Sequence, residues 1–276
     1  MVFTLFSLPA FADTTQVINN ADAKNALVTQ YEKNFKNYST NELKLHRDTV
    51  DSTLAKLVAE GTDINDIDNQ MENYGVYRLK TTQNDKIMPV PASTGAVSMS
   101  IPSIWYDSSA NEWDVVAGGS YILYDWMDDA SFYPTSGWHN MGGVDTVGFS
   151  LNSTYGSYNG VSCVGGYAYI TDHNGRSSNV NSPLTSDYSK GIYFLYQDQA
   201  YYDRFLNPVK YYGEGFSALG RYTSKFSNYH GNCDGFYGHT WSNTGVSSVS
   251  LTNSGFSINF TTDQNRTPYS SFDTAF

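Results

Sequence analysis

The sequence predicts a mainly β protein, an antiparallel β-sandwich or jelly-roll-like module preceded by a small α-helical segment. From Val97 onward short apolar runs follow one another at period two. Val147, Phe149 and Leu151, for example, alternate with Thr146, Gly148 and Ser150, and Gly, Asn, Asp, Ser and Pro separate the runs. Near the end, Val249 and Leu251 alternate with Ser250 and Thr252, and Asn253-Ser254-Gly255 makes a turn. Phe256, Ile258 and Phe260 then alternate with polar residues, which spells a hairpin with one apolar face. Between residues 20 and 75, by contrast, apolar residues recur at three- and four-residue spacing, the signature of helices.

Taken in order, Val2 to Leu8 is a short apolar run and Ala10-Phe11-Ala12 offers small residues where a signal peptidase reads. Residues 1–12 are therefore expected to be a signal peptide, truncated in that no Lys or Arg precedes the run, and the protein to be secreted. Residues 13–80 form the helical segment. Asn20 to Phe35 reads as one helix, and Ser39 with Glu42 is a capping box opening a second. Its stripe is Leu43, His46, Val50, Leu54, Leu57 and Val58, with Gly61 as its stop. Thr62 or Asp63 caps a third through Ile64, Ile67 and Met71, ended by Gly75. Such a segment serves as a propeptide, a stalk or a layer packed on the sheets.

Residues 81–96, polar and then carrying Pro89, Pro91 and Gly95, read as a linker, leaving 97–276 as the β module. Its further strands are expected at Val97 to Ile101, Glu112 to Val115, Tyr121 to Trp126, Val161 to Thr171, Gly191 to Gln197 and Val209 to Leu219.

Charged residues make up only 16% of the chain and the net charge is -11, while Tyr numbers 23. Phosphate recognition needs clustered Lys and Arg, so this balance argues against nucleic acid as a partner. No stretch approaches the roughly 20 apolar residues of a membrane helix. From Ile87 to Gly175 there is no Lys or Arg, yet Asp107, Glu112, Asp114, Asp125, Asp128, Asp129, Asp145 and Asp172 fall there. Gathered carboxylates repel unless a cation compensates them, and the group Asp125, Asp128 and Asp129 is the calcium candidate.

Cys163 and Cys233 form an even pair, which in a secreted chain reads as a disulfide. A second reading makes His230, Cys233 and His239 ligands of zinc, with Cys163 as a fourth. A third makes Cys233 a nucleophile with His239 or His230 as its base. Asn232-Cys233-Asp234-Gly235-Phe236 resembles the Asp-Cys-Ser-Gly nucleophile motif of a class of cell-wall cysteine peptidases, but Asp234 stands where that motif has Ser and the run lies among strands rather than opening a helix.

Glu112 and Glu214 are the only glutamates of the β module, and two carboxylates across a groove are what a glycosidase uses. In size and in its Tyr, Trp, Ser, Asn and Gly richness the module resembles the small jelly-roll xylanases. Its aromatic excess equally suits recognition, because Tyr and Trp give rigid contact area at low entropic cost. Tyr201, Tyr202, Tyr212 and Trp241 are the leading binding candidates within a wider set that includes Trp138 and Tyr211. The expected function is that of an extracellular module binding carbohydrate or a cell-surface component. The alternatives are a secreted hydrolase, acting through the glutamate pair or a Cys-His pair, and a toxin-like or structural protein.

Overall fold

The computed structural model describes residues 14–80, 97–122, 136–155, 161–172, 177–180, 183–185, 188–203, 208–262, 266–270 and 274–275. The expected signal peptide, the 81–96 linker and the calcium group Asp125, Asp128 and Asp129 lie outside them. The protein is mainly β, with antiparallel sheets and three α-helices among these residues.

Helix α1 (Thr14–Tyr31) begins before the predicted Asn20. Helix α2 (Thr40–Ala59) is capped as its sequence dictates. The Ser39 amide donates to Glu42 Oε2 at 2.9 Å and the Glu42 amide donates to Ser39 Oγ. Helix α3 (Ile64–Glu72) takes Asp63 as its cap. Among the described residues no helix is long and apolar enough to cross a membrane.

The strands are β1 (Val76–Arg78), β2 (Val97–Met99), β3 (Ser103–Asp107), β4 (Glu112–Tyr121), β5 (Gly137–Asn140), β6 (Asp145–Tyr155), β7 (Cys163–Thr171), β8 (Ser177–Val180) and β9 (Gly191–Tyr196). There follow β10 (Gln199–Tyr202), β11 (Pro208–Tyr212), β12 (Gly215–Thr223), β13 (His230–Thr240), β14 (Val246–Thr252), β15 (Gly255–Phe260), β16 (Arg266–Ser270) and β17 (Thr274–Ala275). One sheet runs β1-β3-β4-β12-β7-β8, with β2 also on β4. A second runs β16-β13-β6-β9, with β17 also on β13. A third is β11-β10-β5, and the predicted hairpin is β14-β15.

Each strand pairs antiparallel, so alternate residues divide between two faces. From the first sheet Ile104, Tyr106, Trp113, Val115, Ala168, Phe216 and Tyr222 enter one core, and from the second Val147, Phe149, Leu151, Ile192, Phe194 and Tyr237 enter the same core. Gly220 admits the Phe149 ring: a Cβ there would stand 2.8 Å from Phe149 Cζ.

The opposite face of the first sheet presents Trp105, Val116 and Leu219, on which Val50, Leu54, Ala55 and Val58 of α2 and Ile67 and Met71 of α3 pack. The stripe read from the sequence of α2 is thus the stripe it buries. On the far side of the second sheet, Phe236, Tyr193 and Leu195 are covered by Val249, Leu251, Phe256, Ile258 and Phe260 of the hairpin. The run expected as one strand from Val209 to Leu219 is in fact two, in different sheets. Gly213, at φ +102°, turns the chain between them, and a side chain there would strike Asp198.

Candidate functional site

The first concentration of charge lies where α2 crosses the first sheet. Trp105, Asp114 and Arg221 form one cross-strand row and Asp107 and Glu112 the next, all on the face toward α2. Arg221 is wholly buried and donates to Asp51 Oδ1 of α2 from Nε at 2.9 Å and Nη2 at 2.6 Å. It also donates to Asp114 Oδ2 at 3.0 Å, Asp107 Oδ2 at 2.8 Å and Glu112 Oε2 at 3.3 Å. Arg47 forks onto Glu112, and His46 Nε2 sits 2.9 Å from Asp107 Oδ2. Three of the carboxylates that the sequence leaves uncompensated over residues 87–175, Asp107, Glu112 and Asp114, are met here by cations from outside that stretch.

Burial raises the Asp114 carboxyl well above the carboxylate range, only partly opposed by Arg221, and Oδ1 has no hydrogen-bond partner. A folded pKa above the unfolded one means that the stabilising contribution is complete below the ordinary Asp value of about 3.9 and is lost as pH rises through the folded value. Replacing Asp114 with Asn is therefore expected to favour the folded state most at pH 7 and least at pH 4. Urea unfolding at the two pH values measures the difference, and an equal effect at both would contradict the assignment.

The second concentration is buried at the end of the second sheet. Asp145 opens β6, Asp198 lies in the two-residue turn between β9 and β10, and His239 stands near the end of β13; all three are 0% exposed. His239 Nδ1 is 3.0 Å from Asp145 Oδ2 and 3.8 Å from Asp198 Oδ2. Asp145 Oδ2 accepts from the Tyr237 hydroxyl at 2.6 Å, and Oδ1 accepts from the Thr240 amide at 2.8 Å and its hydroxyl at 3.2 Å. The Tyr121 and Tyr196 hydroxyls meet that of Tyr237 at 3.0 and 3.2 Å. Burial first, and the Asp145 charge second, push all three phenols well above the usual range, so they remain neutral hydrogen-bonding groups.

Beside this cluster lies the three-stranded sheet. Tyr201 pairs with Trp138 on one side and Lys210 on the other; two residues along on the same pleat face, Gln199 pairs with Asn140 and Tyr212. The Trp138 and Tyr201 rings, both half-buried, meet edge to face at 5.6 Å. Gln199 Nε2 donates to Asn140 Oδ1 at 2.8 Å, and Asn140 and Lys210 are exposed.

The other residues singled out in the sequence are dispersed. Glu112 and Glu214 stand at opposite ends of the β4–β12 pair, whose 10-residue β4 spans about 30 Å at roughly 3.3 Å per residue. A glycosidase pair needs about 5–9.5 Å, and Glu112 is committed to Arg47 and Arg221, so these two form no catalytic pair.

His230 and His239 sit near opposite ends of the 11-residue β13, and Cys233 is about 20 Å from His239 along it at roughly 3.3 Å per residue. They form neither the expected zinc site nor a Cys-His pair. The expected disulfide is likewise absent: Cys163 and Cys233, on different sheets, are not bonded to each other. Cys163 donates to the Gly165 carbonyl at 2.9 Å, and burial pushes its thiol up to about 11, which makes it a poor nucleophile.

Tyr202 and Tyr212 are buried; Tyr202 packs with Met141 and Ala200 and meets His139 edge to face, and Tyr212 contacts Ser178. Tyr201 and half-buried Trp241 remain reachable, and the Trp241 ring lies 5.5 Å from that of His239. Nothing local in the sequence marks Asp145 and Asp198 as partners of His239, which lies 94 and 41 residues away. Comparison with protein-family models and with curated proteins finds no match.

Proposed function

We propose that the chain is an exported recognition module, a β-sandwich flanked by helices on one side and a hairpin on the other, that binds carbohydrate or a cell-surface component through the three-stranded sheet. The observation that carries this reading is the half-exposed Trp138–Tyr201 pair, with the amide pair Asn140–Gln199 and the Lys210 ammonium in the adjoining positions of the same face. An edge-to-face aromatic pair beside amide donors and acceptors offers a sugar ring both an apolar contact and the hydrogen bonds it needs. The sharing of one core by the first two sheets supports the sandwich part of the proposal, and the apolar run before Ala10-Phe11-Ala12 supports export. A glycosidase reading loses its support with the separation of Glu112 and Glu214, and so does a Cys-His reading with that of Cys233 and His239.

The test is binding of the purified chain to insoluble polysaccharides and isolated cell walls, followed by pull-down and tryptophan fluorescence. Trp138→Ala and Tyr201→Ala are each expected to weaken binding about tenfold or more, equivalent to about 1.4 kcal/mol; because Trp138 also packs against the core, binding is compared at a temperature where each variant is shown by circular dichroism to be folded. Binding to none of these surfaces, or binding untouched by both substitutions, would sink the proposal.

A further inference from the structure

The geometry points to a buried divalent transition-metal site of the zinc class formed by Asp145, Asp198 and His239. One candidate ligand atom from each lies within 4.8 Å of the other two. The three come from separate parts of the chain, the start of β6, the β9–β10 turn and the end of β13, and each side chain is fully withdrawn from solvent.

The spacing suits a small cation. Zinc bonds to imidazole nitrogen and carboxylate oxygen are roughly 2.0–2.2 Å long, so a tetrahedral arrangement sets neighbouring ligand atoms about 3.3–3.6 Å apart. The separations of His239 Nδ1 from the two carboxylate oxygens, 3.0 and 3.8 Å, bracket that range. One imidazole and two carboxylates is a donor set for zinc and its first-row neighbours, whereas calcium takes six to eight oxygens at longer distance.

The surrounding shell is already built. The Tyr237 hydroxyl and the Thr240 amide and hydroxyl fix both oxygens of Asp145, and Tyr121 and Tyr196 hold Tyr237 in turn. Hydrogen bonds of this kind orient a metal-bound carboxylate. The Gln197 amide donates to the carbonyls of Met141, Gly143 and Asp198, which ties the loop before β6 to the turn carrying Asp198. A bound ion would therefore pin the β9–β10 turn, and with it the start of the three-stranded sheet, to the ends of β6 and β13. The ligand side chains are withdrawn from solvent, which suits an ion that holds the fold together, and the three of them leave one tetrahedral position for a non-protein ligand.

The full-length chain, stripped with a chelator and dialysed, is titrated with Zn2+ and separately with Ca2+, with calorimetry, native mass and thermal melting as readouts. The expected result is one Zn2+ per chain, a melting temperature raised by Zn2+ but not by Ca2+, and at least tenfold weaker Zn2+ binding in Asp198→Asn and His239→Gln. Should both variants fail to fold, Co2+ added to the unmodified protein decides: a visible absorption band of tetrahedral nitrogen and oxygen ligation, removed by competing Zn2+, supports the site, and its absence overturns it. Failure of the unmodified protein to retain Zn2+, or undiminished retention by both folded variants, overturns it as well. In either case the three residues are a hydrogen-bonded ion network and no more.

Discussion

A chain that starts at residue 81 is expected not to fold into a stable monomer. That truncation removes α2 and α3, whose Val50, Leu54, Ala55, Val58, Ile67 and Met71 cover the outer face of the first sheet, together with β1, the strand at its edge. Trp105, Val116 and Leu219, essentially unexposed at present, would face water, and each large apolar side chain so uncovered forfeits about 1.5–3 kcal/mol. Arg221 would simultaneously lose Asp51. Losses of this kind approach the whole of an ordinary folding free energy, about 5–15 kcal/mol. The measurement is expression of residues 81–276 with circular dichroism and size-exclusion chromatography. A soluble, cooperatively melting product would mean that the helical layer is dispensable, as a removable propeptide would be.

Replacing Arg221 with Met is expected to destabilise the full chain by about 3–5 kcal/mol, because it leaves Asp51, Asp107, Asp114 and Glu112 gathered in a buried space with less opposing charge. In a chain of this size that corresponds to a melting temperature lower by roughly 10 °C. The carboxylates are not equivalent. Burial opposes ionisation of Asp107, but the His46 hydrogen bond and the Arg221 charge together outweigh it and hold that carboxyl below its ordinary value. The contribution of Asp107 is thus present above the unfolded pKa and lost as pH falls through the folded one. Asp51 and Asp114 are held above their ordinary values, chiefly by burial, and contribute in the opposite sense. Adding Asp51→Asn and Asp114→Asn to Arg221→Met should accordingly recover part of the loss, and the recovery should be larger at pH 7 than at pH 4. A triple variant no more stable than Arg221→Met would show that packing of the guanidinium, not its charge, is what matters.

What could be read from the sequence was local. The Ser39–Glu42 cap, the stripe from Val50 to Val58 and the β14–β15 hairpin each involve residues a few positions apart, and each formed as its pattern dictates. Strand β13 gave no such signal. It is buried along nearly its whole length on both faces, so it has no polar alternation to betray it. Its two histidines and Cys233 resembled a ligand set instead. The break at Gly213 was hidden because apolar residues continue on both sides of it. The sites were harder still: His239 meets Asp145 across 94 residues and Arg221 meets Asp51 across 170, distances at which no spacing rule operates. An even number of cysteines suggested a bond that the structure does not contain. Trp138 and Tyr201 were legible as aromatics, but their pairing across β5 and β10 was not.

The order of strands in the first sheet has a consequence for how the molecule is made. Strand β12, which lies between β4 and β7 and supplies Arg221, is the last segment of that sheet to leave the ribosome. Until it arrives, β4 and β7 have no common neighbour and the acidic residues beneath α2 lack their central cation. The amino-terminal half therefore cannot complete its fold before Thr223 has been made, and closure waits on contacts that span more than a hundred residues. Chains dominated by such distant pairings close in milliseconds to seconds rather than microseconds. Were the chain exported as an unfolded thread, as proposed above, such slow closure would keep it threadable while it is still emerging.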